Sequence, residues 1–190
     1  MVPEQLLLEA TAANTSFSRD LPGLQIAVDS TSLGEFKQCP RKYYYTVVLG
    51  YQGRHTNAHL TFGLVYHAAC ERYDHAKVSG ADHEEALGIA LTYAMKETWD
   101  QERKRPWYSE HPVKNRLTLV QAILGYLDLY GKSDPMETII LPNGKPAVEL
   151  SFAFELGAQA CTGEQWLLCG HLDKLGKLGD RPVIADKKTT

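Results

Sequence analysis

The chain is poor in cysteine, and its four cysteines, Cys39, Cys70, Cys161 and Cys169, are widely spaced, with no CxxC pair. That argues against a zinc site built from this chain alone. There is no excess of positive charge either. The net charge is -3, so any grip on a polyanion must come from a local basic patch. No apolar run reaches the roughly 20 residues that span a bilayer. The opening MVPEQLLLEA has acids and no basic cluster before its short apolar run, unlike a secretion signal. Internal repeats and low-complexity tracts are also missing. These absences point to a chain with reduced thiols and no membrane segment, expected in the cytoplasm.

What remains is ordinary globular composition: 190 residues, 44% hydrophobic and 23% charged, enough for one domain with a real core. Residues 1–29 carry Pro3, Pro22 and Gly23 among small polar residues and read as an irregular leader. DSTSLGEF starts a helix, with Ser30, Thr31 or Ser32 as candidate caps and Glu35 three residues after Ser32. Pro40 should open a second helical segment. LTFGLVYHAACERYDHAKV, DHEEALGIALTYAMKETWD and VKNRLTLVQAILGYLDLYG read as three further helices. The second begins with acids, as the helix dipole favours, and the third stops at Gly131. Residues 101–112 form a charged, proline-broken connection.

The pattern then changes to strands. Asn143-Gly144 sits between two strand-like runs, a strong hairpin signal. In the second run Val148, Leu150, Phe152 and Phe154 share one face, and Glu149 and Glu155 the other. EQWLLCGHLDKLGKLGD and RPVIADKK give two more strands. Alternation along the last strand puts Asp186 and Lys188 on one face and Lys187 on the opposite one. A carboxylate beside an ammonium can hold a hard cation while the lysine orients water or neutralises a phosphate. A second acid is needed, and Asp173, 13 residues earlier, is the candidate across a hairpin return. Acids and lysines at strand ends are commonly just solvated.

The set SLGEFKQCPRKYYY, FGLVYH, GHLDKL and VIADKKTT, in that order from about residue 30 to 190, resembles the PD-(D/E)XK nuclease superfamily. It looks most like the RecB-like branch, which includes CRISPR-associated and AddB-type iron–sulfur nucleases and phage exonucleases. The resemblance implies an α/β fold with a helical N-terminal part on a mixed sheet and a nuclease core over residues 30–190. It implies His67, Asp173 and Asp186 as ligands of Mg2+ or Mn2+, with the backbone carbonyl of Lys187 as a further one. Asp173, Asp186 and Lys188 would be the catalytic set, and Thr189 matches the threonine that usually follows. The implied reaction is metal-dependent hydrolysis of DNA, with an exonuclease the leading expectation and a helicase or recombination protein as an expected partner.

Around this set, Glu71 lies one helical turn from His67, and Glu149 faces away from the apolar stripe of its strand. Glu71 is a candidate for a supporting role behind the ligands or for an acid on the metal side. Glu149 is a candidate for a supporting role, since the resemblance implies an acid on this strand near the metal, and His171 flanks Asp173. Arg41, Lys42 and Tyr43 are candidates for DNA contact, since basic and aromatic residues together grip a backbone and stack bases. Successive helical residues are about 100° apart, so Tyr43, Tyr44 and Tyr45 cannot share a face, and one or two should be core. In the iron–sulfur members a cysteine placed like Cys39 joins a downstream trio to hold a 4Fe-4S cluster. No such trio follows here, so a cluster needs a longer chain, and a structural Cys39 is the expectation. The family usually continues past this threonine into another helix, so the C-terminal part of the core is expected to be absent. Competing readings are a nuclease-like domain that binds DNA or a protein without cleaving, and an unrelated domain whose Asp186 and Lys188 are strand-end charges.

Overall fold

The computed structural model describes residues 16–53 and 57–189. Residues 1–15 of the expected leader therefore lie outside the described residues. The chain forms two compact units. The smaller takes Met1–Arg54 and Leu150–His171, and the larger His55–Glu149 and Leu172–Thr190.

The larger unit is built on three helices, α3 (Ala58–Val78), α4 (His83–Glu97) and α5 (Arg116–Tyr130). Each starts on a side-chain cap that takes up a free N–H: Asn57 for α3, Asp82 for α4 and Asn115, in a capping box with Thr118, for α5. Their apolar residues recur every three or four positions. Phe62, Val65, Tyr66, Ala69, Cys70 and Tyr73 of α3 meet Ala86, Leu87, Ala90 and Ala94 of α4 and Leu119, Ile123 and Leu127 of α5 in one core. The row of alanines on α4 lets that helix approach α3 closely. Gly131 ends α5, as expected, but with φ -69° rather than a left-handed turn. Its role is space, because a Cβ there would stand 2.5 Å from the Tyr73 hydroxyl.

Strands β4 (Met136–Thr138) and β7 (Arg181–Ala185) pair antiparallel with the later part of β6 (Gln165–Leu178), with Met136 opposite Leu178 and Lys174 opposite Ala185. The turn expected at Asn143-Gly144 forms with Gly144 at φ +80°, closed by a bridge between Ile140 and Pro146. Across the turn the Leu141 N–H donates to the Lys145 carbonyl and the Ala147 N–H to the Ile139 carbonyl, so the expected hairpin forms over 139–147, while Met136–Thr138 just before it pairs with β6. The connection 101–112 contributes to a small ladder, β2 (Trp99–Asp100) with β3 (Arg105–Pro106).

In the smaller unit β1 (Ala27–Val28) runs parallel to the early part of β6, with Ala27 opposite Leu167. A stretch expected to be irregular is thus a buried strand. The cap of α1 (Ser30–Gln38) is Asp29, one residue before the expected serines, and Ser32 completes its capping box. Pro40 opens α2 (Pro40–Tyr43), followed by a π-helical turn at Tyr44–Val48. β5 (Val148–Gln159) also pairs with β6. The chain is therefore α/β, with helices and a mixed sheet. Among the described residues no helix is long and apolar enough to cross a membrane.

Candidate metal centre

His67 projects from α3 between the buried Val65, Tyr66 and Ala69 and is itself only half-buried. Two acids from distant parts of the larger unit converge on its Nδ1. Asp173 Oδ2 lies 3.4 Å away and Glu149 Oε1 3.5 Å away. The ligand atoms of the three residues all fall within 4.8 Å of one another, and among the described residues they form the only such cluster of His, Cys, Asp or Glu.

Backbone geometry explains how Glu149 arrives. Ala147 is pinned on both sides, its N–H donating to the Ile139 carbonyl and its own carbonyl accepting from the Leu175 N–H. Glu149 then takes φ +48°, a left-handed conformation that is uncommon for a residue with a side chain. Plain strand alternation does not contain this kink. Asp173 is held by the Lys187 N–H, which donates to Oδ2 at 2.6 Å. It sits in the middle of β6, not at a strand end as the hairpin spacing had suggested.

The donor set fits a hard divalent cation. An imidazole Nδ1 carries at most one proton, so it cannot satisfy both carboxylates at once. A cation between them would. Neighbouring ligand atoms on an octahedral ion at Mg2+ distance stand about 3.0 Å apart, so each carboxylate needs to approach the His67 Nδ1 by only about 0.5 Å. Two oxygens to one nitrogen suits Mg2+ or Mn2+ better than zinc.

Asp186 and Lys188 lie beside this trio but outside it. The register that pairs Lys174 with Ala185, carried one step on, brings Asp186 opposite Asp173. β7 ends at Ala185, and Asp186 is exposed and paired with Lys188, Oδ1 to Nζ 2.8 Å. The Lys188 ammonium holds the Asp186 carboxyl below the usual carboxylate range, and the carboxylate raises Lys188 in return. The Lys187 side chain goes elsewhere, as alternation predicted. Its Nζ reaches Asp74 Oδ2 at 3.3 Å and lies 5.7 Å from the Tyr126 ring centre.

The other candidates are dispersed. Glu71 pairs with His75 at 3.7 Å and does not join the trio. His171 Nδ1 is 3.0 Å from the Ser151 hydroxyl. Arg41 sits 5.9 Å from the Tyr45 ring centre, and Lys42 pairs with Glu35 at 3.2 Å. Tyr43 is the inward-facing tyrosine, donating its hydroxyl to Gln25 Oε1, with its phenol pushed up by burial. Tyr44 and Tyr45 are exposed, and Tyr45 stacks on Tyr51, so neither joins the core. The Cys39 sulfur accepts from the Lys42 N–H at the start of α2, a capping role.

Sequence reasoning missed a buried ion network behind the trio. Lys174 Nζ contacts Asp74 Oδ1 and Asp134 Oδ2, each at 3.1 Å. Two signals pointed there: Asp74 lies seven residues, two helical turns, beyond His67, and Lys174 directly follows Asp173. A family model described as PD-(D/E)XK nuclease superfamily matches residues 30–190. No curated protein and no solved structure gives a match.

Proposed function

Because the chain belongs to the PD-(D/E)XK nuclease superfamily, we propose that it is a metal-dependent deoxyribonuclease. In this reading it is an exonuclease of the RecB-like kind, acting in DNA repair, recombination, or phage or CRISPR DNA processing, with a helicase or recombination protein as partner. The observation that carries the reading is the convergence of His67, Glu149 and Asp173 beside Asp186 and Lys188.

His67, Glu149 and Asp173 would hold the ion, with Asp186 and the Lys187 carbonyl close enough along the chain to complete the set. A bound Mg2+ or Mn2+ lowers the pKa of water and offsets charge developing on the phosphate. Lys188, largely exposed, has the reach to place an ammonium at a phosphate oxygen or an attacking water. Asp173 orients by accepting the Lys187 N–H. For the nucleic acid itself, Arg41 remains a candidate, joined by Tyr44 and Tyr45. Exposed rings beside a guanidinium can stack bases, while the Tyr43 hydroxyl is engaged with Gln25.

The test is incubation of the purified chain with linear DNA and Mn2+, alongside Asp173→Asn and Lys188→Met. Cleavage by the parent that both substitutions abolish is the expected result. Cleavage that survives both would remove the proposed site. DNA binding without cleavage by the parent would favour the non-cleaving reading, and end-labelled circular and linear substrates separate exonuclease from endonuclease action.

A further inference from the structure

Past Ala185 the chain leaves the ladder with β6, yet the next residues carry the groups that surround the trio. Something other than sheet hydrogen bonds has to fix them. Lys187 is bound at both ends. Its backbone N–H donates to Asp173 Oδ2 at 2.6 Å. Its ammonium, on a side chain only 11% exposed, contacts Asp74 Oδ2 at 3.3 Å. The other Asp74 oxygen takes Lys174, the residue next to Asp173, and Lys174 also meets Asp134. Lys174 and Asp74 are 5% and 8% exposed, so neither charge could remain there unpaired. Asp74 and His67 belong to the same helix, about 10 Å apart along its axis. Helix α3 therefore offers one ligand directly and grips the neighbours of another through its aspartate.

We propose that Lys187 is a positioning residue for the metal centre, its side chain anchored on Asp74 so that its backbone holds the Asp173 carboxylate toward His67. This rests on the reading of His67, Glu149 and Asp173 as ligands. The lysine would touch neither substrate nor reacting atoms through its ammonium. It would act through Asp173, as groups behind metal ligands commonly do.

Mn2+ binding to the 190-residue chain, measured by calorimetry beside thermal melting, tests it. Lys187→Met keeps the backbone N–H and leaves Asp74 paired with Lys174. It should weaken Mn2+ about tenfold or more, within the range seen when such supporting groups are removed. Lys187→Arg, which can keep the ion pair, should bind within about twofold of the parent. Parent-like Mn2+ affinity in Lys187→Met, or an arginine variant no better than the methionine one, would overturn the proposal, whatever happens to the melting temperature. If Lys187→Met does not fold, Lys187→Gln gives the same two outcomes. A parent chain that takes no Mn2+ would refute the ligand reading itself, and this inference with it. A parent that binds and a Lys187→Met that binds equally well would refute only the positioning role.

Discussion

Replacing Glu149 by glycine should separate folding from metal binding, because this residue serves one at the expense of the other. Its φ of +48° is left-handed, which costs a residue with a Cβ about 1–2 kcal/mol. Glycine removes that cost but gives the unfolded chain extra freedom, worth about 0.4–1 kcal/mol. The balance leaves Glu149→Gly about 0.5–1 kcal/mol more stable than Glu149→Ala, which keeps the strain. In a chain of this size that is about 1–4 °C in Tm. Metal acts the other way. At 100 times its Kd, Mn2+ stabilises the parent by about 2.7 kcal/mol. Losing one carboxylate with a tenfold weaker Kd would cut that to about 1.4 kcal/mol. Scanning calorimetry with and without Mn2+ reads both quantities. A glycine variant that melts below the alanine variant without metal would refute the strain. A glycine variant with the parent's full Mn2+ shift would refute Glu149 as a ligand.

Ala90 is fully buried on α4 against α3 and α5; Ala90→Leu should cost about 1–3 kcal/mol by forcing these helices apart, and a urea midpoint equal to the parent's would show the packing to be looser than described. Burial pushes the Cys70 thiol up to about 11, against the pull of nearby Lys187. Raised in the folded state, it contributes stability that is full below about pH 9 and lost as pH rises toward 11, roughly 2–3 kcal/mol in all. Cys70→Ala should therefore flatten the alkaline fall in urea stability between those limits, and an unchanged slope would remove Cys70 as its cause.

The sequence by itself determined what is local and periodic. The three large helices follow from apolar residues three and four apart and from Asn57, Asp82 and Asn115 at their starts, because caps and amphipathic stripes depend on near neighbours. The turn at Asn143-Gly144 and the sharing of a side by Asp186 and Lys188 were legible for the same reason. Spacing alone also brought Asp173 and Asp186 together, since a hairpin register is short-range information. Tertiary structure decided the rest. Met136–Thr138, just before the local hairpin, pairs with the distant β6, because ladder partners are chosen by the whole sheet. Glu149 reaches His67 only through a left-handed backbone that no alternation rule contains, and Tyr43 turns inward because Gln25 offers an acceptor. The Lys174–Asp74–Asp134–Lys187 network joins residues up to 113 positions apart. Such charges become visible as a set only once packing has removed the water that would otherwise have kept them apart.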